Sequence, residues 1–267
     1  MSHLLREHAP ITEATWGLID EEARTRLHPA LAARKLVDFG GPHGWEYSAT
    51  NLGRTQPLSE SPGEGVTALQ RRVLAVAELR APFSLDRDQL RDADRGAEDV
   101  DFDALDEAAL RIATAENRVV FHGWAAAGVT GIAESTAHDA LTLGEDCSLY
   151  PRHVAHAVEA LLRAGVDGPY GLALGPAAYT RVLETTEHGG YPLLDHLRKI
   201  IGGPLVWAPG VEGAVVLSQR GGDFVLDVGE DLSIGYETHD AAAVELYLLE
   251  SFAFRVLTPE AALVLTP

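Results

Sequence analysis

The chain carries one cysteine, Cys147, and two lysines, Lys35 and Lys199, in 267 residues. A lone thiol cannot close an intramolecular disulfide, so no covalent staple holds the fold, and this usage fits a reducing compartment such as the cytoplasm. No run of about 18 apolar residues occurs, which excludes a helical membrane span. The opening MSHLLREHAP has no apolar stretch of signal-peptide length. Cationic surface is scarce: 21 Lys and Arg face 40 Asp and Glu, for a net charge of −19. Phosphate binding needs a cationic face, so the balance argues against nucleic acid as a partner.

Catalytic signatures are missing as well. The dipeptide GK never occurs, which removes the P-loop. There is no G-x-G-x-x-G opening a helix, no H-E-x-x-H, no C-x-x-C and no G-x-S-x-G. Cys147 with His153 is the concrete nucleophile–base pairing, and it would make the chain a protease-like hydrolase. Cys147, His153 and His156 offer three metal ligands, at a spacing that matches no strong zinc pattern. The plainer reading is a semi-buried cysteine at a helix entrance and a polar helix face beside Glu159. Asp94, Glu98, Asp99, Asp101 and Asp103 crowd one stretch with Arg91 and Arg95. A calcium loop would add a glycine and a terminal glutamate, and both are absent. The expectation is a chain with no catalytic residue, no metal and no cofactor.

What is present is a normal apolar content, 46%, enough for one large domain or two intimate ones. Residues 12–35 read as a helix, with Thr12 as its cap and Trp16, Ile19, Ala23 and Leu27 as an apolar stripe. Pro29 predicts a kink or break near His28. Residues 45–83 show no helical period and hold the turn cluster Ser59–Gly65, which predicts a two-stranded arm. Such an arm cannot bury both faces within its own subunit, so it implies a neighbouring chain. Asp103 to Asn117 reads as a helix capped by Asp103, with Glu107 paired to Arg111 and Leu105, Ala108, Ile112 and Ala115 inward. Further helices are expected at 152–164, 176–185 and 193–201, with GPYGLAL and EHGGYP as loops between them. From Pro204 onward the pattern is β: LVWAP, GAVVLS, DFVLDV, LSIGY, then a buried central strand over 244–257 and a last strand over 262–265.

Two distant glycine- and aromatic-rich stretches, AARKLVDFGGPHGWEYSATNLG over 32–53 and QRGGDFVLDVGEDLSIGYE over 219–237, resemble the encapsulins. The element order between them does so too, and the likeness runs from about Leu4 to the C-terminus. Encapsulins are bacterial protein shells with the fold of tailed-phage major capsid proteins. The resemblance implies an α+β, tailed-phage major capsid protein-like fold with peripheral domain, extended loop and apical domain. The parts would be residues 1–44 (N-terminal helix region), 45–83 (extended loop), 84–133 (peripheral domain with its spine helix), 134–222 (apical domain) and 223–267 (return to the peripheral domain).

The resemblance also implies a function. The chain would form a closed icosahedral nanocompartment of sixty subunits or a multiple of sixty in the cytoplasm. It would enclose a cargo enzyme, a dye-decolourising peroxidase or a ferritin-like iron oxidase, and serve oxidative-stress defence or iron storage. The cargo would bind through a C-terminal targeting peptide at Leu27, Leu31, Arg34, Leu36 and Asp38, with Leu232, Ile234 and Tyr236 from the LSIGY strand. The alternative is that these positions are simply core, which suits Leu31 and Ile234 at least as well; it suits Arg34 and Asp38 less, since charges are rarely buried without partners. A pore around the fivefold axis would be lined by the loop of Glu184, Glu187, His188, Gly189, Gly190 and Tyr191; an ordinary surface turn is the alternative. Some relatives are associated with a flavin near the stretch that here reads SLDRDQL; Arg87 and Asp88 offer no aromatic face, so none is expected. A hydrolase using Cys147 and His153 and a phage capsid protein are the rival readings; the −19 charge disfavours the second.

Overall fold

Thr12 opens the first helix, its Oγ1 accepting the Thr15 N–H at 3.2 Å. In the computed structural model, which describes residues 2–187 and 189–267, this helix α1 runs Glu13–Ala30. Trp16, Ile19, Ala23 and Leu27 are buried as the period requires. Pro29 does not break it. The helix ends one residue later, so the proline forfeits a single late hydrogen bond. Asn117 then fixes the exit. Its Nδ2 donates to the Ala30 carbonyl at 2.8 Å and its Oδ1 accepts the Ala33 N–H at 2.9 Å.

The chain continues through β1 (Asp38–Gly40), the hairpin strands β2 (Ala49–Pro57) and β3 (Leu69–Ala75), and β4 (Ala77–Asp86). Helices α2 (Arg87–Asp94), α3 (Asp103–His122) and α4 (Ile132–Ser135) follow, then β5 (Leu141–Thr142), α5 (Tyr150–Arg163), β6 (Tyr170–Leu174), α6 (Pro176–Glu184) and α7 (Leu193–Ile201). Strands β7 (Gly202–Trp207), β8 (Ala214–Ser218), β9 (Phe224–Val228), β10 (Ser233–His239), β11 (Ala243–Val256) and β12 (Ala262–Thr266) complete it.

The described residues form three sheets. The first has the order β1-β9-β11-β10, with β4 also on β11; the second is β5-β12-β8-β6-β7; the third is the β2–β3 hairpin alone. β11 organises the first sheet. It pairs with β4 from Ala243↔Asp86 to Phe252↔Ala77, while its other edge takes β10 and then β9. Its long apolar run is thus buried centrally, as its composition predicts. One apolar core lies between this sheet, α1 and α3, with Ile19, Leu105, Ile112, Phe83 and Leu248. The other is built on the second sheet with α5, α6 and α7.

Several local expectations are corrected. Asp103 is the first residue of α3 rather than its cap; Phe102 holds that position, and Asp101 Oδ1 accepts the Asp103 N–H at 2.9 Å. α3 also runs five residues past Asn117. GPYGLAL, read as a loop, contains the fully buried strand β6. Flanking glycines suggested a turn, but Tyr170 to Leu174 lie between β7 and β8, where an uninterrupted apolar run belongs. Residues 77–86 lie in the first sheet rather than in the arm, and β12 crosses back to the second sheet beside β8.

Candidate functional site

A groove of about 460 Å³ lies between α1 and β10. The spacing Asp20, Ala23, Arg24, Leu27, His28, Leu31 places one helix face along it, and Leu232, Ser233 and Ile234 form the opposite wall. Leu4 and Arg6 also line it. Arg6 is held by Asp20 at 2.9 Å and lies 3.9 Å over the Trp16 ring. The Tyr236 N–H donates to the Leu4 carbonyl at 2.9 Å.

That last bond shows which way β10 faces. In an antiparallel ladder alternate residues turn their N–H and C=O to opposite sides. Tyr236 turns away from β11, so Ile234, two residues earlier, does the same and presents its N–H and C=O along the groove. β10 is an edge strand, partnered on one side by β11. Gly235 is needed between them, because a Cβ there would lie 2.2 Å from the Tyr247 ring.

Of the residues expected to bind a peptide, Leu27, Leu31, Arg34, Leu232 and Ile234 come together in this groove. Leu36 and Asp38 do not. Leu36 is buried in the core of the second sheet, and its carbonyl accepts from Gln219 Nε2 at 2.5 Å. Asp38 Oδ2 accepts the Gly222 N–H at 2.5 Å beside a separate cleft of about 60 Å³. Tyr236 lies outside the groove lining and acts through its bond to Leu4. Leu4 and Arg6 gave no periodic signal. Ala23 belongs to the apolar stripe of α1, while Asp20 and Arg24 lie on the polar face that borders it.

Arg34 is spent inside the protein. Its Nε donates to Glu116 at 2.6 Å, its Nη1 to Asp231 at 2.6 Å and its Nη2 to Glu250 at 2.9 Å. Burial alone would lower the guanidinium pKa, but Glu116, Glu250 and Asp231 together hold it above its ordinary value.

The loop that follows α6 has its own tether. Glu187 accepts from His196 Nδ1 at 2.8 and 3.0 Å, and its N–H donates to the Tyr191 carbonyl at 2.8 Å. Glu184 ends α6 exposed, and Lys199 Nζ lies 4.8 Å over the exposed Tyr191 ring. Gly189 and Gly190 have φ of +91° and +77°, a conformation that glycine adopts at little cost. His188 lies outside the described residues.

Cys147 and His153 do not form a catalytic pair. The thiol donates to the Glu145 carbonyl at 3.7 Å, while His153 Nδ1 is 3.1 Å from the Leu143 carbonyl. No group of three metal-ligating side chains occurs among the described residues, and none of their helices is long and apolar enough to cross a membrane.

Comparisons with known proteins agree with the architecture. Residues 1–253 match the family Linocin_M18, described as encapsulating protein for peroxidase. A type 1 encapsulin shell protein of Rhodospirillum rubrum is 51% identical, over 98% of this chain and 95% of its own length. That of Mycobacterium tuberculosis is 41% identical over the whole of both chains. Among solved structures, a virus-like particle from Pyrococcus furiosus aligns with TM-score 0.64 at 16% identity, over 94% of this chain and 98% of that one. Microbacterium phage Oxtober96 aligns with TM-score 0.57 at 10% identity, over 89% and 91%. The fold is therefore that of tailed-phage capsid proteins, and with identities of 41–51% sustained end to end the chain belongs to the encapsulin family of shell proteins.

Proposed function

We propose that this chain is the repeating subunit of a closed icosahedral compartment in the bacterial cytoplasm, and that the α1–β10 groove docks an extended apolar peptide at the tail of an enclosed protein. The observation that carries the docking reading is the edge of β10 at Ile234, which no described strand pairs, beside the half-buried Leu31 and Leu232; Leu27 and Ile234 are themselves nearly buried and form the floor. A peptide strand would accept from the Ile234 N–H and donate to its C=O while placing alternate side chains among the leucines. Leu4 already uses the next position on that edge through Tyr236.

Assembly draws support from the arm. Leu58, Val66, Leu69 and Val73 are each about half exposed, on a hairpin with no further partner strand among the described residues. Two-stranded ribbons with bare apolar faces are stable only against a neighbour. The loop from Glu184 to Tyr191 is the proposed pore lining, with the carboxylate of Glu187 hydrogen-bonded to His196 Nδ1. A peroxidase is the cargo to test first, since the family description names one; a ferritin-like iron oxidase is the second.

Purified alone, the chain should elute as particles of megadalton mass and appear hollow and uniform by electron microscopy. A monodisperse species below about ten subunits would overturn the shell reading. Co-expressed with a peroxidase bearing its own C-terminal tail, the particles should carry it, and deletion of the tail should empty them.

A further inference from the structure

Two glutamates, Glu116 on α3 and Glu250 on β11, have fully buried side chains. Each gives one oxygen to Arg34, and the Oε1 of each is buried with no hydrogen-bond partner among the described residues. Among the described residues, four charged groups meet in the cluster. Arg34 comes from the turn after α1, Glu116 from α3, Glu250 from β11 and Asp231 from the turn before β10. The Phe39 ring of β1, 5.3 Å from the guanidinium carbon, adds no charge. Asp231 reaches water, its side chain 43% exposed, so its charge is partly solvated. The buried part is then one cation against two carboxylates. A second buried negative charge without a partner is far costlier than a retained proton.

We infer that Glu116 and Glu250 share a single proton, the hydroxyl of one donating to the orphaned oxygen of the other, and that this proton holds the groove wall closed. Burial pushes both carboxyls above the usual range, Glu250 well above it; the adjacent Glu116 charge adds to the rise at Glu250, and Arg34 opposes it. The link to the wall is Arg34, which pins Asp231 directly before the groove residue Leu232. When the proton leaves, two like charges face each other in a dry site. Opening to water relieves them, and the half-buried Asp231–Leu232 turn is the side of the cluster that reaches water.

The sign follows from the raised carboxyls. Above the usual glutamate range the folded chain keeps a proton that an opened cluster releases. The closed wall therefore loses stability as pH rises from that range to the pair's own titration, and then levels off. A single proton limits the effect to about tenfold per pH unit in the opening constant. This assignment rests on the groove reading only for its biological meaning.

The test uses empty assembled shells, wild type against Glu250→Gln, whose amide is neutral at every pH. Hydrogen exchange of the segment 230–236 is measured from mildly acidic to mildly alkaline pH and corrected for the intrinsic pH dependence of exchange. Wild type should lose protection with pH, by up to about tenfold per unit, while the variant stays flat. Infrared spectra at neutral pH should show a protonated carboxyl band in wild type that Glu250→Gln removes. No such band in wild type would overturn the shared proton. A band with equal exchange slopes would overturn its hold on the wall. Should Glu250→Gln fail to assemble, Glu116→Gln provides the same neutral partner. Because no peptide is used, failure of the docking proposal leaves this result readable.

Discussion

Asn117 and Ala33 meet at 2.9 Å, the side-chain Oδ1 accepting the backbone N–H across 84 residues of chain. The same amide donates to Ala30 at 2.8 Å and Pro209 at 3.0 Å, so one buried side chain joins the exit of α1, the spine helix α3 and the turn after β7. Asn117→Ala should orphan the Ala33 N–H and the Pro209 carbonyl, while the Ala30 carbonyl keeps the Ala32 N–H at 2.9 Å. The expected cost is about 3 kcal/mol, at the upper end for buried unsatisfied groups. Denaturant unfolding should show it, together with a lower yield of assembled particles; a loss within about 0.5 kcal/mol would mean that water replaces the amide.

Arg34 and Leu232 separate stability from docking. Arg34→Ala leaves Glu116 and Glu250 without their cation, and breaking a buried pair in this way costs about 3–5 kcal/mol. It should reduce soluble shell sharply. Leu232 is half-buried, so Leu232→Asp should leave assembly intact and abolish loading of a tailed peroxidase, because a peptide would have to bury that carboxylate. Normal loading in assembled Leu232→Asp particles would place the dock elsewhere.

The arm should matter to assembly and hardly at all to the subunit. Leu69 and Val73 are 55% exposed. Substituting both by Asp should change subunit stability by no more than about 0.5 kcal/mol per site. Light scattering should nonetheless show small species in place of particles.

At the loop proposed to line a pore, Glu187 is already engaged by His196 at 2.8 Å. Glu187→Gln should therefore slow ferrous-ion passage only modestly, whereas His196→Ala should release the carboxylate and raise passage severalfold. The initial rate of an encapsulated iron oxidase at limiting iron, with matched loading, reads both. Equal rates in all three shells would show that this loop does not set permeability.

The sequence by itself determined the parts that local chemistry controls. The stripe Trp16, Ile19, Ala23, Leu27 placed α1, the pattern over 193–201 placed α7, and the apolar run from 244 placed β11 as a central strand. The resemblance of residues 32–53 and 219–237 reached the family and hence the fold. Only the tertiary structure decided what long-range contacts control. Arg34 looked like a peptide ligand, yet its partners lie 82, 197 and 216 residues away, and no local pattern encodes a triple carboxylate grip. Leu36 and Asp38 follow Arg34 closely in sequence, but a turn between them and α1 sends them to another core and another strand. Tyr170 to Leu174 looked like a loop because its glycines were visible and its two flanking strands were not. Periodicity reports which side of an element is buried; it cannot report what buries it, because that partner is chosen by packing between segments that the chain holds far apart.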